Sequence, residues 1–239
     1  PHIREKGERM FNYERVITRP PCKNFADGLT HGLLGRPDVA LAKQQHQQYV
    51  EAIRSCGVEV IVLPPEDDFP DSCFTEDEVI VTDRMAVQPS FCRPLRQGEE
   101  ALIRPVIELY FEGRYEEIKK PGTLEGGDIS RDGNHFFVGI SSRTNEDGAR
   151  QFVEIAKKYG FTCDLCDIRG IRILHLTTGM CYIGENTVIC VPEFQHFEAY
   201  KGYRVIVTSP EERYAANCIR IRDKVIMPEG FPDTEAKIK

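Results

Sequence analysis

Nowhere in the 239-residue sequence do roughly 18 apolar residues follow one another, the length that a membrane-spanning helix needs. No apolar stretch near the start has the form of a signal peptide. Positive charge is also short: 31 Lys and Arg stand against 38 Asp and Glu, a net charge of −7. Nucleic acid and acidic membranes both need a basic face, so neither is expected as a partner. A small cationic ligand fits the balance.

Cysteine is plentiful. Nine are scattered along the chain, mostly inside apolar segments, as buried thiols of a reducing compartment are. A cytoplasmic location is therefore expected. Cys163 and Cys166 form a lone CxxC, but FTCDLCDI reads as a strand, whose period of two sends the side chains to opposite faces. No second CxxC or nearby His pair completes a zinc site, and no metal is expected.

What is present is a repeat. PDVALAKQQHQQYVEAIRSCG (37–57) has helical spacing, with Pro near its start and Gly at its end. VEVIVL (58–63) is a β-branched strand, a polar loop follows, and 78–87 reads as a hairpin. The order returns as helix 98–112, strand 115–120, the loop PGTLEGGD (121–128) and hairpin 128–140, turned at Asp132-Gly133. It returns again as helix 145–159, strand 161–168, a loop holding a strand-like RILHL (172–176), and hairpin 180–191. A shorter fourth unit has a turn of helix within 192–200, strand 202–209, the loop SPEERYAAN and hairpin 217–228. FPDTEAKIK begins a fifth helix, while FNYERVITRP (11–20) is a strand with no helix before it. Both loose ends suit a cyclic α/β array of ββαβ-type units whose last unit is incomplete. PHIREKGER (1–9) reads as a tag or vector remnant with Met10 as the natural start, which leaves 10–239 as one domain.

Each strand-to-hairpin loop occupies the same place in its unit, so a closed ring turns all of them to one centre. The first loop holds Asp71, Glu76 and Asp77, the second Glu125, the third His175. Singly, the acids read as turn caps or solvated residues, and His175, alternating with Leu174 and Leu176, as a solvent-facing strand residue. Together they suit a planar cation, because a guanidinium offers N–H donors in a fork that carboxylates accept in pairs. Gly126 and Gly127 let the backbone bring Glu125 inward, and His175 is the proton carrier.

PDSCFTED, PGTLEGGD, SSRTNEDGAR, ILHLTTG, ERYAANC and VIMPEGFP together resemble the dimethylarginine dimethylaminohydrolases of the guanidino-modifying, or pentein, superfamily, from about Phe11 to Lys239. The resemblance implies a five-bladed pentein propeller that converts methylated arginine to citrulline through a covalent cysteine intermediate, with no metal or organic cofactor. Asp77 and Glu125 then grip the guanidinium. Asp71 and the carbonyl of Leu29 hold the α-amino group, Phe74 lines the alkyl stem, and Arg96 and Arg143 clamp the α-carboxylate. Glu76 supports these groups, and FADGLTHGLLG (25–35) forms the lid. The expected partner is this small molecule, with a homodimer left open.

In that superfamily the nucleophile is a cysteine in the loop of the fifth unit, which places it beyond Lys239. Cys218 reads as a core thiol and Cys73 points away from Ser72 and Phe74, so neither replaces it. Two other readings remain. Arginine deiminase uses much the same site on free arginine, although its usual extra helical insertion is missing here. A non-catalytic propeller that binds a ribosome or an amino acid has no reason to gather acids and a histidine at one loop address.

Overall fold

Strands form where β-branched residues cluster and stop at Gly, Asn and Asp turns. The computed structural model describes residues 13–30 and 35–239. Residues 1–9, read as a tag, and His31–Leu34 of the expected lid lie outside them. Arg15–Thr18 (β1) and Glu59–Val62 (β2) run parallel, joined by the helix Val39–Ser55 (α1). Asp38 starts that helix by accepting the N–H groups of Ala40 and Leu41 at 2.8 and 3.1 Å.

From β2 the chain passes through a polar loop into a single helical turn, Thr75–Glu78 (α2). Three sheets of one plan follow, each a hairpin, a connection and a third strand parallel to the hairpin's second strand. Ile80–Val81 (β3), Ala86–Gln88 (β4) and Tyr115–Glu117 (β5) make the first, with Glu100–Glu108 (α3) in the connection. Ile129–Asp132 (β6), His135–Ile140 (β7) and Thr162–Asp167 (β8) make the second, with Glu146–Lys158 (α4) between. After the turn Leu176–Gly179 (α5) come Met180–Gly184 (β9), Thr187–Cys190 (β10) and Arg204–Val207 (β11). Two 3-10 turns, Pro192–Phe194 and Glu198–Tyr200, stand there in place of a helix. Ile219–Ile221 (β12) and Lys224–Ile226 (β13) form a last hairpin, followed by Pro232–Ile238 (α6). Among the described residues this makes five sheets, and no helix is long and apolar enough to cross a membrane.

Each of the three-stranded sheets straddles two of the repeats read from sequence, because the strand before a loop pairs with the preceding hairpin. A parallel partner needs such a crossover. The apolar interior divides accordingly. Phe136, Val138, Phe152 and Phe161 pack between β7 and α4, whereas Phe137, Ile168, Val188 and Phe194 form a second cluster on the other side. The two cysteines of β8 show the division: Cys163 packs against the first cluster and Cys166 belongs to the second, so they face opposite ways.

One element differs from its sequence reading. RILHL is not a strand, and His175 is not a solvent-facing strand residue. Thr178 donates to the carbonyl of His175 at 3.2 Å, and the Leu176 N–H is taken by Asp128 at 3.0 Å, which bends the chain into α5. Leu174 is 38 % exposed and His175 only 7 %, which breaks the alternation.

Candidate active site

The loops after β2, β5 and β8 meet at the turn Gly126–Asp128, on which α2 and α5 both pack. The two glycines are required by contact. A Cβ on Gly126 would lie 1.8 Å from the Glu76 carbonyl oxygen, and one on Gly127 would lie 2.8 Å from the His175 ring and 2.9 Å from Asp77 Oδ1. The Gly127 N–H donates to that oxygen at 2.7 Å, so the loop backbone locks Asp77 in place. The carboxylate of Glu125 comes in with no measurable exposure, next to the turn.

Asp77, Glu125 and His175 offer polar atoms that lie within 4.8 Å of one another. His175 Nε2 is 3.7 Å from Asp77 Oδ2 and 3.5 Å from Glu125 Oε2, and Nδ1 is 3.5 Å from Asp128 Oδ2. Two buried arginines reach the same acids. Arg96 Nη1 donates to Asp77 at 2.7 Å, its Nε and Nη2 hold Glu99 at 2.7 and 2.9 Å, and its guanidinium lies over the Phe91 ring. Arg143 Nη1 donates to both oxygens of Glu125 at 3.2 and 3.0 Å. As donors, the two acids and the imidazole could hold a divalent ion. Guanidinium groups already stand at both carboxylates, however, and a planar N–H donor matches that arrangement better.

The surroundings drive the acids apart. Burial opposes charge on Asp77, but His175, Arg96 and the Gly127 N–H outweigh it and hold the carboxyl below its usual range. For Glu125, burial and then the charge of Asp77 push the carboxyl up, and Arg143, His175 and Arg96 offset only part of this. Burial disfavours charge on His175, yet its approach to Asp128 and the charges of Asp77, Asp128 and Glu125 bring its pKa up to about 9. A histidine of this kind carries a proton at neutral pH.

The remaining expected residues lie around this centre. Asp71 accepts the N–H of Leu29 through Oδ2 at 3.0 Å, so these two are adjacent. Phe74 precedes α2, 41 % exposed, with its ring centroid 6.4 Å from that of Phe25. Glu76, beside Asp77 on α2, is exposed. Of the expected lid, Phe25–Asp27 is a 3-10 turn.

Sequence reasoning passed over four neighbours. Glu99 anchors Arg96. Arg19, itself buried, pairs with Glu78 and donates to the Ser72 carbonyl at 2.7 Å, which fastens the first loop to β1. Asp128 takes three donors, described further below. Cys92 places Sγ 3.9 Å from Glu125 Oε1. The only sequence signal for Asp128 was its place at the end of PGTLEGGD.

The family model for N,N-dimethylarginine dimethylhydrolase, eukaryotic, matches residues 38–208. The chain belongs to the dimethylarginine dimethylaminohydrolase family. It is 40% identical to N(G),N(G)-dimethylarginine dimethylaminohydrolase of Pseudomonas aeruginosa over 226 residues, 95% of this chain and 88% of that one. The enzyme of the same name from Streptomyces coelicolor is 30% identical over 177 residues, 74% of this chain and 67% of the relative. A solved structure of the Pseudomonas enzyme, a cysteine-to-serine variant complexed with citrulline, superimposes with a TM-score of 0.92, covering 95% of this chain and 89% of that one. The amino-terminal domain of the arginine dihydrolase ArgZ shares the fold at 21% identity and a TM-score of 0.82. The chain therefore has the α/β pentein fold.

Proposed function

We propose that the protein hydrolyses Nω-methylated arginine to citrulline and methylamine or dimethylamine. The observation that carries this is the convergence of two carboxylates and one cationic imidazole: Asp77 and Glu125 both lie within 3.7 Å of His175 Nε2. The substrate guanidinium takes the place beside Asp77 and Glu125. Asp71 and the Leu29 backbone receive the α-amino group, Phe74 covers the stem, and Arg96 and Arg143 meet the α-carboxylate. Glu76 supports the first loop.

A thiolate attacks the guanidinium carbon, and a C–S bond forms. His175 gives its proton to the methylated nitrogen as the C–N bond breaks and the amine leaves. His175, now neutral, takes a proton from water. The hydroxide attacks the same carbon, the C–S bond breaks as the new hydroxyl gives its proton to the departed amine or to water, and citrulline and the thiolate are released. A raised histidine pKa suits the first step, because the acid is loaded at neutral pH.

The attacking cysteine belongs, in this proposal, to a segment following Lys239. Cys73 is a poor thiolate, pushed up by burial and by Glu76 and Asp71. Burial and Glu125 likewise push Cys92 up. The finer architecture follows the same reading: the five sheets are five blades of a closed propeller, the domain runs over 10–239, and the protein is cytoplasmic and able to form a homodimer.

Calorimetry should show that the 239-residue chain binds dimethylarginine. A chain carrying the following segment should release citrulline from dimethylarginine and act poorly on free arginine. Preference for free arginine would favour the arginine deiminase reading. Citrulline from a chain whose mass ends at Lys239 would move the nucleophile to the cysteines present, Cys92 first.

A further inference from the structure

His175 stands among three carboxylates, and one of them is engaged by uncharged donors of the protein alone. Asp128 is completely buried. Its Oδ2 accepts the Ser141 hydroxyl at 2.6 Å and the Thr144 hydroxyl at 2.7 Å, and its Oδ1 accepts the Leu176 N–H at 3.0 Å. The same hydroxyls reach onward. Thr144 Oγ1 accepts the Glu125 N–H at 3.2 Å, and Ser141 Oγ accepts the Arg143 N–H at 2.9 Å. One side chain is thus linked to the backbone of Glu125, of Arg143 and of the residue after His175. The space is tight: a Cβ on Gly139 would lie 3.1 Å from Asp128 Oδ1 and 3.0 Å from Leu176 Cβ.

The imidazole has two distinct sides. Nδ1 is buried, makes no hydrogen bond of ordinary geometry, and has Asp128 Oδ2 at 3.5 Å. Nε2 faces Asp77 and Glu125. A neutral imidazole carries one hydrogen, and the acceptor beside one nitrogen decides which nitrogen keeps it. Asp128 is the acceptor whose position the protein fixes with three donors. Asp77 and Glu125 instead share theirs with Arg96 and Arg143.

We propose that Asp128 is the positioning residue of this site, holding the proton on Nδ1 of His175 and leaving Nε2 as the nitrogen that exchanges protons beside Asp77 and Glu125. The assignment rests on the hydrolase reading above for its chemical purpose, but its test does not use turnover. The charged groups around the ring are Asp77 and, exposed, Glu76 from α2, Glu125 and Asp128 from the second loop, and Arg96 and Arg143 behind the acids.

The test is a nitrogen-15 NMR titration of the histidine rings of the 239-residue chain, with His175 assigned through His175→Asn. In the unaltered protein the proton lost on raising pH should leave Nε2, and the neutral ring should be the Nδ1–H tautomer. Asp128→Asn keeps an acceptor of similar shape but removes the charge. His175 should then titrate about 1–3 pH units lower, with its neutral form moving towards Nε2–H. An Nε2–H tautomer in the unaltered protein would overturn the assignment, as would an unchanged titration in folded Asp128→Asn. If Asp128→Asn does not fold, the tautomer of the unaltered protein decides alone. Citrulline binding to the unaltered chain, measured separately, tests the hydrolase reading by itself.

Discussion

Glu125 and Asp128 are three residues apart on one loop, both without measurable exposure, and the protein treats them in opposite ways. Asp128 takes its hydrogen bonds from neutral donors, two hydroxyls and one N–H, with the His175 ring at 3.5 Å. Glu125 has Arg143 at 3.0 Å, a more distant Arg96 at 3.6 Å and His175 at 3.5 Å, all of them cationic side chains. A buried carboxylate satisfied by fixed dipoles is part of the fold. One paired with cationic side chains stands where a further cation would compete with them. The difference separates a carboxylate held by hydroxyl and backbone donors from one held by charged side chains, and under the proposed function a group that builds the site from a group that binds in it.

Removing the builder should have the largest effect. Asp128→Ala strips the acceptor from three buried donors, each worth about 1 kcal/mol or more when left unmade. Stability should fall by roughly 3 kcal/mol, read from urea unfolding; a loss below about 1 kcal/mol would erase the contrast with Glu125.

The histidine between the two acids should show itself in the pH dependence. Its pKa is raised in the folded chain, to about 9. Its contribution is therefore complete below the unfolded value near 6.5 and is lost as pH rises through 9. This amounts to up to about 3 kcal/mol. Urea unfolding at pH 6 and pH 9.5 should show that decline in the natural chain and a much smaller one in His175→Asn.

Glu125→Gln should act on binding instead. It keeps the shape and removes the charge, so dimethylarginine should bind about tenfold or more weakly while stability changes little. Equal loss of both would place Glu125 with Asp128 among the builders. Within the natural chain, affinity should also fall as acid protonates Glu125, at a pH above the usual carboxylate range, because burial and Asp77 push its carboxyl up. At the small end stands Arg169, paired with Asp167 and Glu146 in the open. Arg169→Ala should leave the unfolding midpoint where it is, since water already solvates both partners of such a pair.

Much of this was legible in the chain. The repeating order of helix, strand, loop and hairpin needs only periodicity and turn residues, and these are local properties. That order placed the loops of Asp71, Asp77, Glu125 and His175 at one address, and the loops after β2, β5 and β8 do meet. The Gly126-Gly127 pair was readable as a close approach, and Glu76, Asp77 and His175 are what it approaches. RILHL was misread because its alternation is real, while the Asp128 contact that bends it comes from 48 residues away.

The sequence by itself determined which residue types the site would hold and in which loops, because carboxylates, a histidine and paired glycines carry their chemistry wherever they are placed. Tertiary structure alone decided which carboxylate meets neutral donors and which meets guanidinium groups. That distinction depends on the partners each acid meets. Ser141, Thr144 and Leu176 reach Asp128 from two other segments, Arg143 reaches Glu125 from the first of these, and Arg96 reaches Asp77 from a third. Burial strengthens every one of these contacts and makes an unpaired group expensive. The surroundings of each acid were thus set by contacts between separate segments of the chain, about which local pattern carries no information.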